Sequence, residues 1–141
     1  MASATDYLET QLGNHILRAG SFTKPTALYL ALFTTKPDDA GANGVEVSAG
    51  GYARVPCGPS DEAWAEPSDG SGEFVNLVDF TFGSPTEDWG VDPMFITAFG
   101  IYDAETDGNL LITEDLIVPQ EVFNGGLPPK FAAGDLKITF G

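Results

Sequence analysis

The stretch from Met94 to Glu114, MFITAFGIYDAETDGNLLITE, constrains the fold more than any other. Two apolar runs flank the most turn-rich acidic segment of the chain. Side chains of an extended strand alternate between its faces. Phe95, Thr97, Phe99 and Ile101 therefore share one face, and Ile96, Ala98, Gly100 and Tyr102 share the other. Asp103, Asp107, Gly108 and Asn109 tolerate left-handed turn geometry. Leu110, Leu111 and Ile112 then resume the extended pattern. The pattern predicts a buried β-hairpin at the centre of a sheet, with its acidic tip in water.

The remaining segments fit around that hairpin. Ser3 to Ala19 predicts the one substantial helix, with capping-box spacing between Ser3 and Asp6 and Gly20 placed to end it. Leu8, Leu12 and Ile16 recur every fourth residue, flanked by Tyr7 and His15, so one stripe must pack on the core or on a neighbouring subunit. Ala27 to Thr34 reads as a strand apolar on both faces, and so covered on both sides. Lys36 to Gly44 reads as a loop, Val45 and Val47 as a brief strand, and Gly50-Gly51 as a turn into Tyr52–Val55. The polar stretch 58–73 reads as a long acidic loop anchored by Trp64, which either pins it to the body or stands out as a contact residue. Phe74 to Phe82 alternates as one strand, and Phe131 to Phe140 closes the chain with a turn at Gly134-Asp135. Roughly eight short strands separated by Gly- and Pro-rich turns predict a mainly β fold. The expected architecture is a single β-sandwich or jelly-roll-like domain over 1–141, with a helical arm over 1–20.

A chain of 141 residues with a 43% hydrophobic fraction is long enough and apolar enough for a real core. No apolar run approaches the ~20 residues that span a bilayer. The N-terminus, MASATDYLETQ, has neither a basic region nor an apolar signal core, which predicts synthesis and retention in a cytoplasm. The net charge is -15, and no Lys or Arg lies between Arg54 and Lys130. Such a field repels nucleic acid and anionic membranes. It fits a solubilised outer surface or a partner with a basic patch.

Catalytic and metal chemistry find little support. Cys57 is the only cysteine, so no internal disulfide can form, and it reads as a small core residue. His15 is the only histidine, with no second His or Cys to share a metal and no evident Ser partner. There is no phosphate-binding loop or dinucleotide fingerprint, and no carboxylate pair stands out, so no enzymatic activity and no cofactor are expected. One pattern has the spacing of a calcium loop: Asp103, Glu105, Asp107 and Glu114 at positions one, three, five and twelve, with Gly108 at six. Against it stand a Glu at position three, Leu111 at position nine and strand-like flanks in place of helices. The competing reading is an Asp-Gly hairpin with an incidental downstream Glu.

Several segments, in order along most of the chain, carry a resemblance. They are His15-Ile16-Leu17-Arg18, Leu28 to Thr35 with Pro37, Gly50-Gly51-Tyr52-Ala53-Arg54, Trp89-Gly90, Phe99 to Ala104 with Gly108 to Leu111, and Phe131 to Gly134. Together they resemble a family of small virion proteins of tailed bacteriophages, described as capsid decoration, cement or tail-associated proteins. The acidic loop 58–73 is longer than that pattern. The resemblance implies a non-enzymatic structural protein on the outer capsid surface, with the major capsid protein as partner and a trimer as its self-assembled form. The alternative is a tail, baseplate or fibre-associated module. The expected contact set joins Tyr29, Phe33, Trp64 and Trp89, apolar in excess of a small sandwich core, with Tyr7, Leu8 and Leu12 of the helix. The near-neutral ends are expected to carry that contact, through the helix at Asp6–Arg18 and the loop at Lys36–Asn43, with the acidic middle facing solvent.

Overall fold

The expected central hairpin is the middle of the main sheet. The computed structural model describes residues 3–67 and 69–140. Residues 1–2, 68 and 141, at the start of the expected arm, inside the expected acidic loop and at the last position, lie outside the described residues. The hairpin strands are β8 (Ile96–Tyr102) and β9 (Leu110–Gln120). Before them come β1 (Ser3–Ala4), α1 (Asp6–Leu17), β2 (Leu28–Thr35), β3 (Val45–Glu46), β4 (Val55–Gly58), β5 (Trp64–Ala65), β6 (Glu73–Asn76) and β7 (Phe80–Thr81). After them come β10 (Lys130–Phe131) and β11 (Lys137–Thr139).

The main sheet has six strands in the order β1-β9-β8-β2-β3, with β4 also on β2. All its pairings are antiparallel. β3 and β4 share one edge of β2, at Phe33–Thr35 and at Leu28–Leu30. Two smaller sheets, β11-β6-β5 and β10-β7, supply the second layer. The main core joins the layers: Leu30, Leu32, Phe99, Ile101 and Leu111 meet Phe80, Phe82, Leu136 and Ile138. This is a mainly β, sandwich-like fold with one helix, as the short strands and turn residues predict.

β2 is covered on both faces, as its apolar composition requires. Leu30 and Leu32 enter the main core, while Ala31 and Phe33 join Ala98 and Tyr102 in a second cluster. Gly100 makes that second face possible. A Cβ there would stand 2.8 Å from Leu110 Cδ1 and 2.9 Å from Phe33 Cε2, closer than packed carbons tolerate.

Local expectations shift in four places. The helix starts later than Ser3: Ser3–Ala4 pair with Thr113 and Ile112 as β1, and Thr5 is the N-cap. Thr5 Oγ1 accepts from the Leu8 N–H at 3.4 Å and donates to the Leu110 carbonyl at 2.6 Å, so the cap also fastens the helix to β9. The helix ends at Leu17, and the Arg18 and Gly20 N–H groups both reach the Asn14 carbonyl at 3.2 Å. Second, the stretch 58–73 is not all loop, because β5 lies inside it and pairs with β6. Third, Phe74–Phe82 is two strands. The buried Asn76 breaks it, its amide donating to the Val78 and Ala132 carbonyls and accepting from the Gly134 and Leu136 N–H groups. Fourth, the β8–β9 register shifts between Ile96 and Ala98, so Ile96 enters the main core with Phe99 and Ile101 rather than the opposite face.

Candidate functional site

The segment Gly50-Gly51-Tyr52-Ala53-Arg54 builds a connected set of polar contacts. Gly51 has φ 87, and a Cβ there would sit 2.2 Å from the Ser84 carbonyl oxygen, so this turn needs glycine. The Gly50 N–H donates to Glu87 Oε2 at 2.6 Å. The turn delivers Tyr52, whose hydroxyl accepts from the Leu32 N–H at 3.1 Å and donates to Glu46 Oε2 at 2.6 Å. Burial, reinforced by the hydrogen bond to Glu46, pushes the Tyr52 hydroxyl far above its ordinary range, so it stays a donor.

Arg54 is the hub. Its Nε and Nη2 grip Glu46 at 2.9 and 2.8 Å in the forked geometry that suits guanidinium and carboxylate. Its Nη1 donates to the Ala104 and Asp107 carbonyls at 2.9 and 2.8 Å, and its plane lies 3.6 Å from the Tyr102 ring centroid. Burial opposes the charge, but Glu46 outweighs it and raises the Arg54 pKa. A strand edge and the tip of the central hairpin are thus tied to one side chain.

The tip is closed from within as well. The Asp103 carboxylate accepts from the Asn109 N–H at 2.7 Å and from its side-chain amide at 2.9 Å. Asp107 and Gly108 take the positive φ values, 54 and 76, that the turn requires. The calcium pattern is not assembled: no three acidic, His or Cys side chains gather as metal ligands among the described residues. Asp103 turns inward to Asn109, while β9 carries Glu114 down the sheet to Lys36, whose Nζ is 3.8 Å from Glu114 Oε1. Asp107-Gly108 lies in the turn between β8 and β9.

The expected contact residues divide by burial. Leu8, Phe33 and Trp89 are buried core and present no surface to a partner. Trp89 donates its indole N–H to the Gly50 carbonyl at 2.8 Å and meets the Tyr52 ring edge-on at 5.4 Å. Trp64 is half-buried and pinned: its indole N–H donates to the Cys57 carbonyl at 2.7 Å, and its ring lies 5.7 Å from Phe80. Tyr7, Leu12 and Tyr29 are half-buried. His15 accepts the Phe22 N–H on Nδ1 at 3.2 Å, and burial pushes the Cys57 thiol up to about 12. Neither is placed as an activated base or nucleophile.

The accessible apolar surface lies elsewhere. Ile16 and Leu17 end the helix stripe in the open, at 73% and 83% exposure. Ile117 is 98% exposed, Val118 60% and Leu127 89%. The only sequence signal for the second group is the run Leu116-Ile117-Val118 before Pro119, which reads equally well as a buried strand. A groove of about 960 Å³ runs between this part of β9 and β10–β11, lined by Leu116, Ile117, Val118, Lys130, Phe131 and Lys137. A second, of about 1000 Å³, opens beside α1 over Phe22, Trp64, Phe74 and Phe140. No helix is long and apolar enough to cross a membrane among the described residues.

Comparison with known proteins gives a match over most of the chain. The family model described as Podophage GP4 fiber I protein gp80 matches residues 3–139. No curated protein matches the chain.

Proposed function

From the premise that this chain belongs to the family of the podophage GP4 fiber I protein gp80, we propose that it is a non-enzymatic structural subunit of the virion's fibre apparatus. The observation that carries the proposal is the extent of the family match, residues 3–139, which takes in every strand and the helix. The physical features support it. Arg54, Tyr52, Trp64, Trp89 and His15 each bond to this chain's own residues. The exposed surface carries apolar patches among many carboxylates, the equipment of an assembly module.

The fibre reading takes precedence over the head-decoration expectation, with its major capsid protein partner and threefold arrangement. The net charge of -15 fits either place, since it keeps the protein off nucleic acid in an infected cell. The test is to shear fibres from purified virions, separate them from heads and quantify the protein in each fraction by mass spectrometry. Recovery with the fibres is expected. Recovery with intact heads would overturn the proposal in favour of decoration.

A further inference from the structure

We infer that the far half of β9, with the groove beside it, is the surface through which a second copy of this chain docks. Three observations converge there. First, part of the outer side of β9 is an open edge. Among the described residues β1 pairs with that side only at Ile112 and Thr113, and none pairs with it along Leu116–Val118. An uncovered strand edge offers backbone donors and acceptors to another strand. Pro119 lacks an N–H, so pairing along this edge ends after a few residues, giving a finite contact rather than a fibrillar one.

Second, the edge carries its own apolar anchors. The register shift opposite Ile96–Ala98 lets the strand bulge outward, leaving Ile117 and Val118 in water with half-buried Leu116 between them and the core. The groove beside them has an apolar floor that includes Phe99, Phe131 and Leu136. One patch therefore offers both a ridge and a recess.

Third, charge selects the occupant. Two copies with a net charge of -15 repel through most faces. This patch is different: Lys130 and Lys137 line the groove with Glu73, Glu114, Asp115 and Asp135, and Lys36 lies 3.6 Å from Asp115 at its rim. Half of the chain's six Lys and Arg residues are gathered here. A patch bearing both signs is complementary to itself once rotated, as a symmetric interface requires. A strongly basic partner would be opposed by these lysines and better served by the acidic faces elsewhere.

The inference concerns the purified chain and does not depend on where in the virion it sits. Sedimentation velocity across the micromolar range should show a reversible monomer–dimer equilibrium, because a patch that is its own complement closes after two copies. Ile117→Asp should weaken association by at least about tenfold with the melting temperature unchanged, because the side chain is free in the monomer. Lys137→Glu should weaken it too. Ile16→Asp adds the same charge at another exposed apolar site and should leave association as it was. A monomer at every concentration would overturn the inference. So would an oligomer that survives Ile117→Asp or is lost in Ile16→Asp.

Discussion

β9 is one strand with two characters. Its near half, Leu110–Thr113, is buried throughout, paired with β8 on one side and in part with β1 on the other. Thr5 grips the Leu110 carbonyl, and Thr113 Oγ1 donates to the Phe99 carbonyl at 2.9 Å. The hairpin tip before this half is held by Arg54 and Asp103. The far half, Glu114–Gln120, leaves the sheet's regular register and is mostly exposed, although three of its residues are strongly apolar. Ile117 and Val118, exposed on this edge, add little to folding and carry an aggregation hazard. Satisfied polar groups and close packing thus mark the half that holds the fold. Apolar residues left in water mark the half available to a partner.

Breaking the hub behind the tip should have the largest effect. Arg54→Ala removes one member of a largely buried ion pair, leaving Glu46 with the Tyr52 hydroxyl alone and two backbone carbonyls without their Arg54 donor. The expected cost is about 3–5 kcal/mol in chemical denaturation. Arg54→Lys should recover only part of it, because an ammonium cannot grip Glu46 through two parallel bonds.

The two halves of the strand separate next. Leu111→Ala in the near half should cost about 2–5 kcal/mol, since Leu111 is 5% exposed within the main core. Ile117→Ala in the far half, with 98% exposure, should change monomer stability by less than about 0.5 kcal/mol. Equal costs would erase the distinction. A smaller effect is expected at the helix cap, where Thr5→Ala should lose about 1–2 kcal/mol through the Leu8 and Leu110 bonds together.

The smallest effect is a pH slope. Burial and the bond to Glu46 raise the Tyr52 pKa in the folded state above its ordinary value of 10.0. The unfolded chain therefore gives up this proton first as pH rises, and each further step in pH favours unfolding. Stability should be flat in this group below pH 10 and decline above it. Tyr52→Phe should flatten that alkaline decline, measured as denaturation midpoint against pH relative to the parent protein.

How much of this is legible in the sequence depends on how local each cause is. The central hairpin is legible because two apolar runs and an Asp-Gly turn are adjacent in the chain. The double coverage of β2 follows from apolar residues on both of its faces. The break at Asn76 is hidden, because apolar and aromatic residues continue through Phe82 while the cause is one amide reaching Ala132, Gly134 and Leu136. β5 is hidden because two residues in a polar stretch carry no period. The tryptophans look like surplus surface because their partners, Cys57 and Gly50, cannot be guessed from spacing. The true surplus, Ile117 and Val118, looks like core because a bulge, invisible in composition, turns it outward. Kinship with phage virion proteins is carried by segments spread along the chain. Head against fibre is not, since location belongs to the partner as much as to this chain.

The central claim, that this is a fibre module, is tested most directly by a cryo-electron microscopy reconstruction of the intact particle that retains its fibres. Density matching the six-stranded sheet and its single helix within the fibre, or where it joins the tail, is the predicted result. The same density seated on the outer head shell, against the major capsid protein and absent from the fibres, would contradict it.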